Sequence, residues 1–149
     1  MPNWCENRLR IFGPEADLEK FKQQAVGHAP WLTDKETLSL PPSPLNFHNL
    51  LPVPLHVLAL GDGDALEKWQ RANWGAKWEA DETELIDESD SQLCYAFNTP
   101  WAPPIALLKS IGPEWPTLTF LLDYEEPGER FVGLCKVADA VCEDHCFNL

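Results

Sequence analysis

From Trp4 to Phe12 apolar and polar residues alternate. Cys5, Leu9 and Ile11 share one side with Asn7, and Trp4, Glu6, Arg8 and Arg10 share the other. This period marks a strand with one buried face. Gly13-Pro14 ends it. Pro14, followed by Glu15, Asp17 and Glu19, suits the first turn of a helix, where acids meet the positive end of the dipole. Leu18, Phe21 and Ala25 then recur at helical spacing to about Val26, and Gly27 closes the helix.

Residues 28–60 lose both periods. Pro30, Pro41, Pro42, Pro44, Pro52 and Pro54 interrupt helix and strand alike. Yet Leu45, Phe47, Leu50, Leu51, Val53, Leu55, Val57 and Leu58 make the stretch too apolar for a disordered linker. An ordered Pro-rich insertion packed against the core is expected, largely extended, with short helical turns. Asp62-Gly63-Asp64 then caps a second helix, with Ala65, Leu66, Trp69 and Ala72 along one face. Asn73–Trp78 follows as a loop. Strands are expected over about 81–87 and 92–98, joined at Glu88-Ser89-Asp90. Thr99–Pro104 is a rigid loop that opens a short helix to Ile111, with Ile105, Leu108 and Ile111 as its stripe. A strand over 117–124 sets Leu118, Phe120, Leu122 and Tyr124 on one side and Thr117, Thr119, Leu121 and Asp123 on the other. Pro127-Gly128 makes a turn. The strand returns over 131–141, with Phe131, Cys135 and Val137 on one face, and no element is assigned to 142–149.

With residues 28–60 and the helix after them treated as an elaboration, the order contains β-α-β-β-α-β. That predicts a single α+β domain over 1–149. Its expected fold is ferredoxin-like (split βαβ): an antiparallel sheet with helices on one face, a C-terminal hairpin strand and the Pro-rich insertion at 28–60. A hairpin end strand with an unpaired edge leaves a homodimer open.

Charge narrows the partners. The chain of 149 residues has 11 Lys and Arg against 24 Asp and Glu, a net charge of −13. Duplex binding draws its affinity from cations on phosphates, so direct nucleic-acid binding and adsorption to an anionic membrane are both disfavoured. No apolar run is long enough for a membrane span, and the start lacks a basic, apolar leader, so a cytoplasmic location is expected. Seven acids fall between Glu79 and Asp90: Glu79, Asp81, Glu82, Glu84, Asp87, Glu88 and Asp90. A solvated strand pair accounts for them; a decoy surface for a basic, nucleic-acid-binding host protein is the sharper alternative.

Several blocks resemble the YubB-like proteins, an uncharacterised group from phages, plasmids and bacterial genomes that is assigned a ferredoxin-like domain. They are Met1-Pro2-Asn3-Trp4-Cys5-Glu6-Asn7, Leu51-Pro52-Val53-Pro54, Asn73-Trp74-Gly75-Ala76-Lys77-Trp78, Thr99-Pro100-Trp101-Ala102-Pro103-Pro104 and Tyr124-Glu125-Glu126-Pro127-Gly128, with Phe131 and Gly133. They span nearly the whole chain in order. The chain departs from the pattern at Ala76, where Thr is usual, at Glu79, where Asp is usual, and at Ala102, where Ser is usual. The resemblance implies a fold and an association with mobile elements. It implies no reaction and carries over no catalytic residue.

The candidate surface is formed by Asn73, Trp74, Gly75, Lys77 and Trp78, joined by Trp101 from the second loop. Exposed tryptophans supply large contact area with one donor, and glycine admits a partner's close approach. Three prolines around Trp101 would present its ring at little entropic cost. The alternative is that these rings pack inward and merely staple the loops. A groove shared by both loops is the sharpest expectation.

Catalytic and metal motifs are missing. There is no Gly-x-Ser-x-Gly, phosphate-cradling glycine loop or His-Glu-x-x-His. Cys142, His145 and Cys146 lie close, but zinc wants four ligands, and His28, His48 and His56 are isolated. No cofactor and no metal are expected, and the five cysteines suit reduced thiols. The leading expectation is a non-enzymatic binding or adaptor protein that grips a protein or small ligand. An enzyme with an unrecognised site is the remaining alternative.

Overall fold

The structure, a computed structural model, describes residues 2–30 and 35–149. Met1 of the first resemblance block and residues 31–34 of the expected insertion lie outside the described residues. Strand β1 spans Trp4–Phe12 and is followed by helix α1, Glu15–Ala25. Three short helices come next: α2 (Lys35–Leu38), α3 (Phe47–Leu50) and α4 (Leu55–Ala59). Helix α5 covers Gly63–Asn73, and the hairpin β2 (Asp81–Glu88) and β3 (Gln92–Pro100) leads to α6 (Ile105–Ile111). The chain ends in β4 (Thr119–Glu126), β5 (Phe131–Ala138) and β6 (Val141–Asn148).

The six strands form one sheet in the order β2-β3-β1-β4-β5-β6, every neighbouring pair antiparallel. The alternation in β1 is realised. Cys5, Asn7, Leu9 and Ile11 are buried, and Glu6 and Arg8 are exposed. Asn7 stands opposite Phe97 and Tyr124, and Ile11 opposite Leu93 and Phe120, so three strands present one apolar face. Leu18, Phe21 and Ala25 of α1 and Leu107, Leu108 and Ile111 of α6 complete the core on that face.

Segment 45–57 belongs to the same core. Leu45, Phe47, Leu50, Val53 and Val57 are all buried. Phe47 meets Phe97 edge-on at 5.9 Å and Trp74 at 5.6 Å, tying the proline-rich stretch to β3 and to the end of α5.

Several boundaries differ from expectation: β3 runs on to Pro100 and takes in the first two residues of the expected Thr99–Pro104 loop, and β4 covers Thr119–Glu126 rather than 117–124. The returning strand does not run to Val141. It stops at Ala138, turns through Asp139 at φ +55°, and comes back as β6. β6 is exposed at every position except Cys142, so it offers no buried face for alternation to reveal.

Candidate functional site

The loops after α5 and after β3 meet. Gly75, Ala76 and Lys77 from the first, Trp101 and Ala102 from the second, Pro100 at the end of β3 and Arg71 of α5 line a groove of about 510 Å³. Backbone contacts hold the loops together. Leu107 N–H of α6 donates to Trp74 O at 3.2 Å. Gly75 adopts φ +87°, and a β-carbon there would come within 3.1 Å of Pro103 O and 3.3 Å of Ile105 N. Glycine is needed on both counts: the left-handed backbone and the close approach to the start of α6.

The second loop is set from below. Asn7 Nδ2 donates to Thr99 Oγ1 at 2.9 Å and to Cys5 O at 3.0 Å, and Thr99 O–H donates to Ala102 O at 2.6 Å. Asn7 and Thr99 are buried, so this network satisfies polar groups that would otherwise be costly. It also accounts for a polar residue on the buried face of β1. Cys5 joins it as a thiol: burial, then the charge of Glu126, pushes its pKa up to about 12, so it is not a nucleophile at neutral pH. Trp101 N–H donates to Asn3 O at 2.8 Å and the residue is held at φ +68°. For a bulky L-residue that conformation is strained. Trp101 nevertheless stays 42% exposed at the groove.

The six candidate residues divide. Gly75, Lys77 and Trp101 line the groove. Trp78 is 43% exposed but turns to Trp4, with ring centroids 6.3 Å apart. Asn73 closes α5, its Nδ2 donating to Trp69 O at 2.9 Å. Trp74 is not a contact surface. It is fully buried between Phe47 and Trp69, and its Nε1–H donates to Leu51 O at 2.9 Å. An apolar pocket and a waiting carbonyl are what an indole needs to be buried at no polar cost.

Arg71 escaped the sequence reading because it lies on the polar side of α5, away from the stripe that defines the helix. The signal available was its spacing from Glu67, with which it pairs at 2.6 Å. Lys77 shares that carboxylate at 3.9 Å and places its ammonium 4.4 Å from the centroid of Trp78. Arg71 and Lys77 are the charged residues that line the groove, and both pair with Glu67. Ala76 and Ala102 give the groove small apolar walls.

Glu79 anchors the first loop from its far side. Its Oε1 accepts from Phe47 N–H at 2.6 Å and its Oε2 from His48 N–H at 2.9 Å, at the start of α3. Burial raises its pKa to about 7 against the lowering effect of those N–H groups. His48 in turn accepts Val53 N–H at Nδ1, 3.0 Å, and burial lowers its pKa. Among the described residues no three His, Cys, Asp or Glu gather to hold a metal. No helix there is long and apolar enough to cross a membrane.

The fold has a solved counterpart. A crystal structure of a protein Api92 from Yersinia pseudotuberculosis matches with a TM-score of 0.76 at 10% identity, over 100% of this chain and 99% of that one. At that identity the likeness speaks for the fold alone. No curated protein matches the chain. Residues 73–147, half of the chain and inclusive of both groove loops, match the model described as "Ferredoxin-like domain in Api92-like protein", and the chain belongs to that family.

Proposed function

We propose that this chain is a non-enzymatic binding protein that seats a partner or small ligand in the groove between residues 75–77 and 100–102. One observation carries the reading. Trp101 is kept in a strained left-handed backbone with its ring exposed beside Lys77 and Arg71. Strain of this kind persists where the surroundings impose it and clusters at clamps and sites. An aromatic wall with two cations suits a ligand that pairs a flat apolar part with an anionic group. The family resemblance adds to the proposal an association with mobile elements, and a cytoplasmic setting is proposed with it. The strand order supports reading β1-α1-β2, with β3 between the strands, as the split unit, and residues 28–60 as an insertion within it.

The decoy alternative has weaker support. Glu79 turns inward to α3, Glu88 pairs with Lys22 at 2.7 Å, and Glu82 accepts from Asn98 at 3.1 Å, so the acids do not act as one free surface. Native mass spectrometry and affinity capture with wild type and Trp101→Ala test both. The groove reading expects a bound mass or partner that survives high salt and is lost in Trp101→Ala. Capture that survives Trp101→Ala but disappears as salt rises transfers the function to the acidic strand.

A further inference from the structure

The two edges of the sheet are built differently. β2 carries Asp81, Glu82, Glu84, Asp87 and Glu88, its register with β3 shifts twice, and Glu82 takes φ +48°. Charge and irregularity of this kind keep an edge from accepting another strand. β6 has neither defence in full. It pairs with β5 without interruption from Val141 to Asn148 and contains no proline. Val141, Phe147 and Leu149 are 63%, 65% and 63% exposed. By alternation they project on one face with Val132, which stands opposite Phe147.

We propose that β6 pairs antiparallel with β6 of a second copy about a two-fold axis perpendicular to the sheet, joining two six-stranded sheets into one. Such an axis preserves faces, so only residues of one face stand opposite each other. Centred on Asp144, it sets Val141 against the partner's Phe147 and Glu143 against the partner's His145. Cys142 then meets the partner's Cys146, and each pair occurs twice. Apolar meets apolar, a pairing that stabilises neighbouring strands, and the Glu143 carboxylate meets an imidazole able to donate a hydrogen bond to it. Centring on Glu143 or on His145 sets that residue against itself. It also opposes Val141 to the partner's His145, or Glu143 to the partner's Phe147. The chosen register has a cost, Asp144 against the partner's Asp144 on the axis. Tyr124 O–H donates to that carboxylate at 2.7 Å and draws it over its own β4.

Sedimentation equilibrium of the reduced protein at high salt, where repulsion between two chains of −13 is screened, tests the pairing. A reversible dimer is expected. Phe147→Lys, at a side chain outside the core, should raise its dissociation constant by about tenfold or more, with the folded spectrum unchanged. Register is read by oxidation. Cys142 and Cys146 of one strand lie about 13 Å apart along it, too far to join each other. Cys135 is the competitor within the chain, its sulfur 3.8 Å from that of Cys142, and is removed as Cys135→Ala. Oxidised glutathione, reduced as the two thiols lose their protons and electrons, should then link Cys142 to the partner's Cys146. A monomer at every concentration overturns the proposal. So does a dimer indifferent to Phe147→Lys and Val141→Lys, or one linked only through Cys146 to the partner's Cys146.

Discussion

The loops at 73–78 and 99–104 both carry tryptophan beside a turn, and both lie at the junction of a strand or helix with the next element. The first turns Trp74 inward and leaves Gly75, Ala76 and Lys77 on the groove. The second keeps Trp101 on the groove and buries the hydroxyl of Thr99 beneath it. Residue type does not separate the two rings; their surroundings do. Trp74 meets Phe47, Trp69 and the Leu51 carbonyl, which satisfy both its surface and its donor. Trp101 is fixed through its backbone, by Asn3 O and a left-handed φ, and its ring remains available. One loop stabilises the fold with its aromatic, and the other holds its aromatic at some expense to stability.

The largest effect expected from this contrast is at Trp74. Trp74→Ala empties a fully buried site and leaves the Leu51 carbonyl without its indole donor. A loss of about 3–5 kcal/mol is expected from the lost burial and the cavity together. Urea unfolding monitored by circular dichroism would show it as a lower midpoint at an unchanged slope. A loss below about 1 kcal/mol would mean that Trp74 is not the core residue that separates the two loops.

A second effect tests how the first loop is anchored. Glu79 has a folded pKa raised from 4.5 to about 7 by burial. The folded state therefore holds the proton more tightly than the unfolded chain. The contribution of Glu79 is fully present below its unfolded value and is lost as pH rises through about 7. Thermal unfolding should fall by several degrees across that window, and Glu79→Gln, which cannot ionise, should flatten the slope. In the Asn7–Thr99 network of the second loop the titratable member, Cys5, is pushed up to about 12, outside that window, so Thr99→Val should lower stability without changing the slope. An unchanged slope in Glu79→Gln would place the titration elsewhere.

Much of the fold was legible because one face of each core strand is buried and the other is not. Cys5, Leu9 and Ile11, and Phe120, Leu122 and Tyr124, declare their strands by alternation, and Leu18, Phe21 and Ala25 declare α1. β6 lacked that contrast. The site was legible as two loops but not as one groove, because their meeting depends on Leu107 N–H reaching Trp74 O and on Gly75 fitting against Pro103. Neither contact leaves a local period. Which tryptophan is buried was equally hidden, since Trp74 depends on Phe47, distant in sequence and set in a stretch with no periodicity. Arg71 was hidden for the opposite reason: on an amphipathic helix a solvated arginine is unremarkable until another loop arrives beside it.

The smallest stability effect is the most informative for function. Trp101→Gly removes the ring and replaces a residue strained at φ +68° with the one that adopts this backbone freely. Relief of strain is worth roughly 1–2 kcal/mol. Against it stands the extra freedom glycine gives the unfolded chain, of about 0.4–1 kcal/mol, and the loss of a half-exposed ring's packing. The terms nearly cancel, so the unfolding midpoint should move little in either direction. Binding should not cancel, because the groove loses its aromatic wall while Lys77 and Arg71 remain. A variant as stable as wild type that no longer retains a ligand or partner would separate the two loops by role. If Trp101→Gly instead destabilised the protein as much as Trp74→Ala, the ring would be a second structural staple. The groove would then lose its claim to be the site.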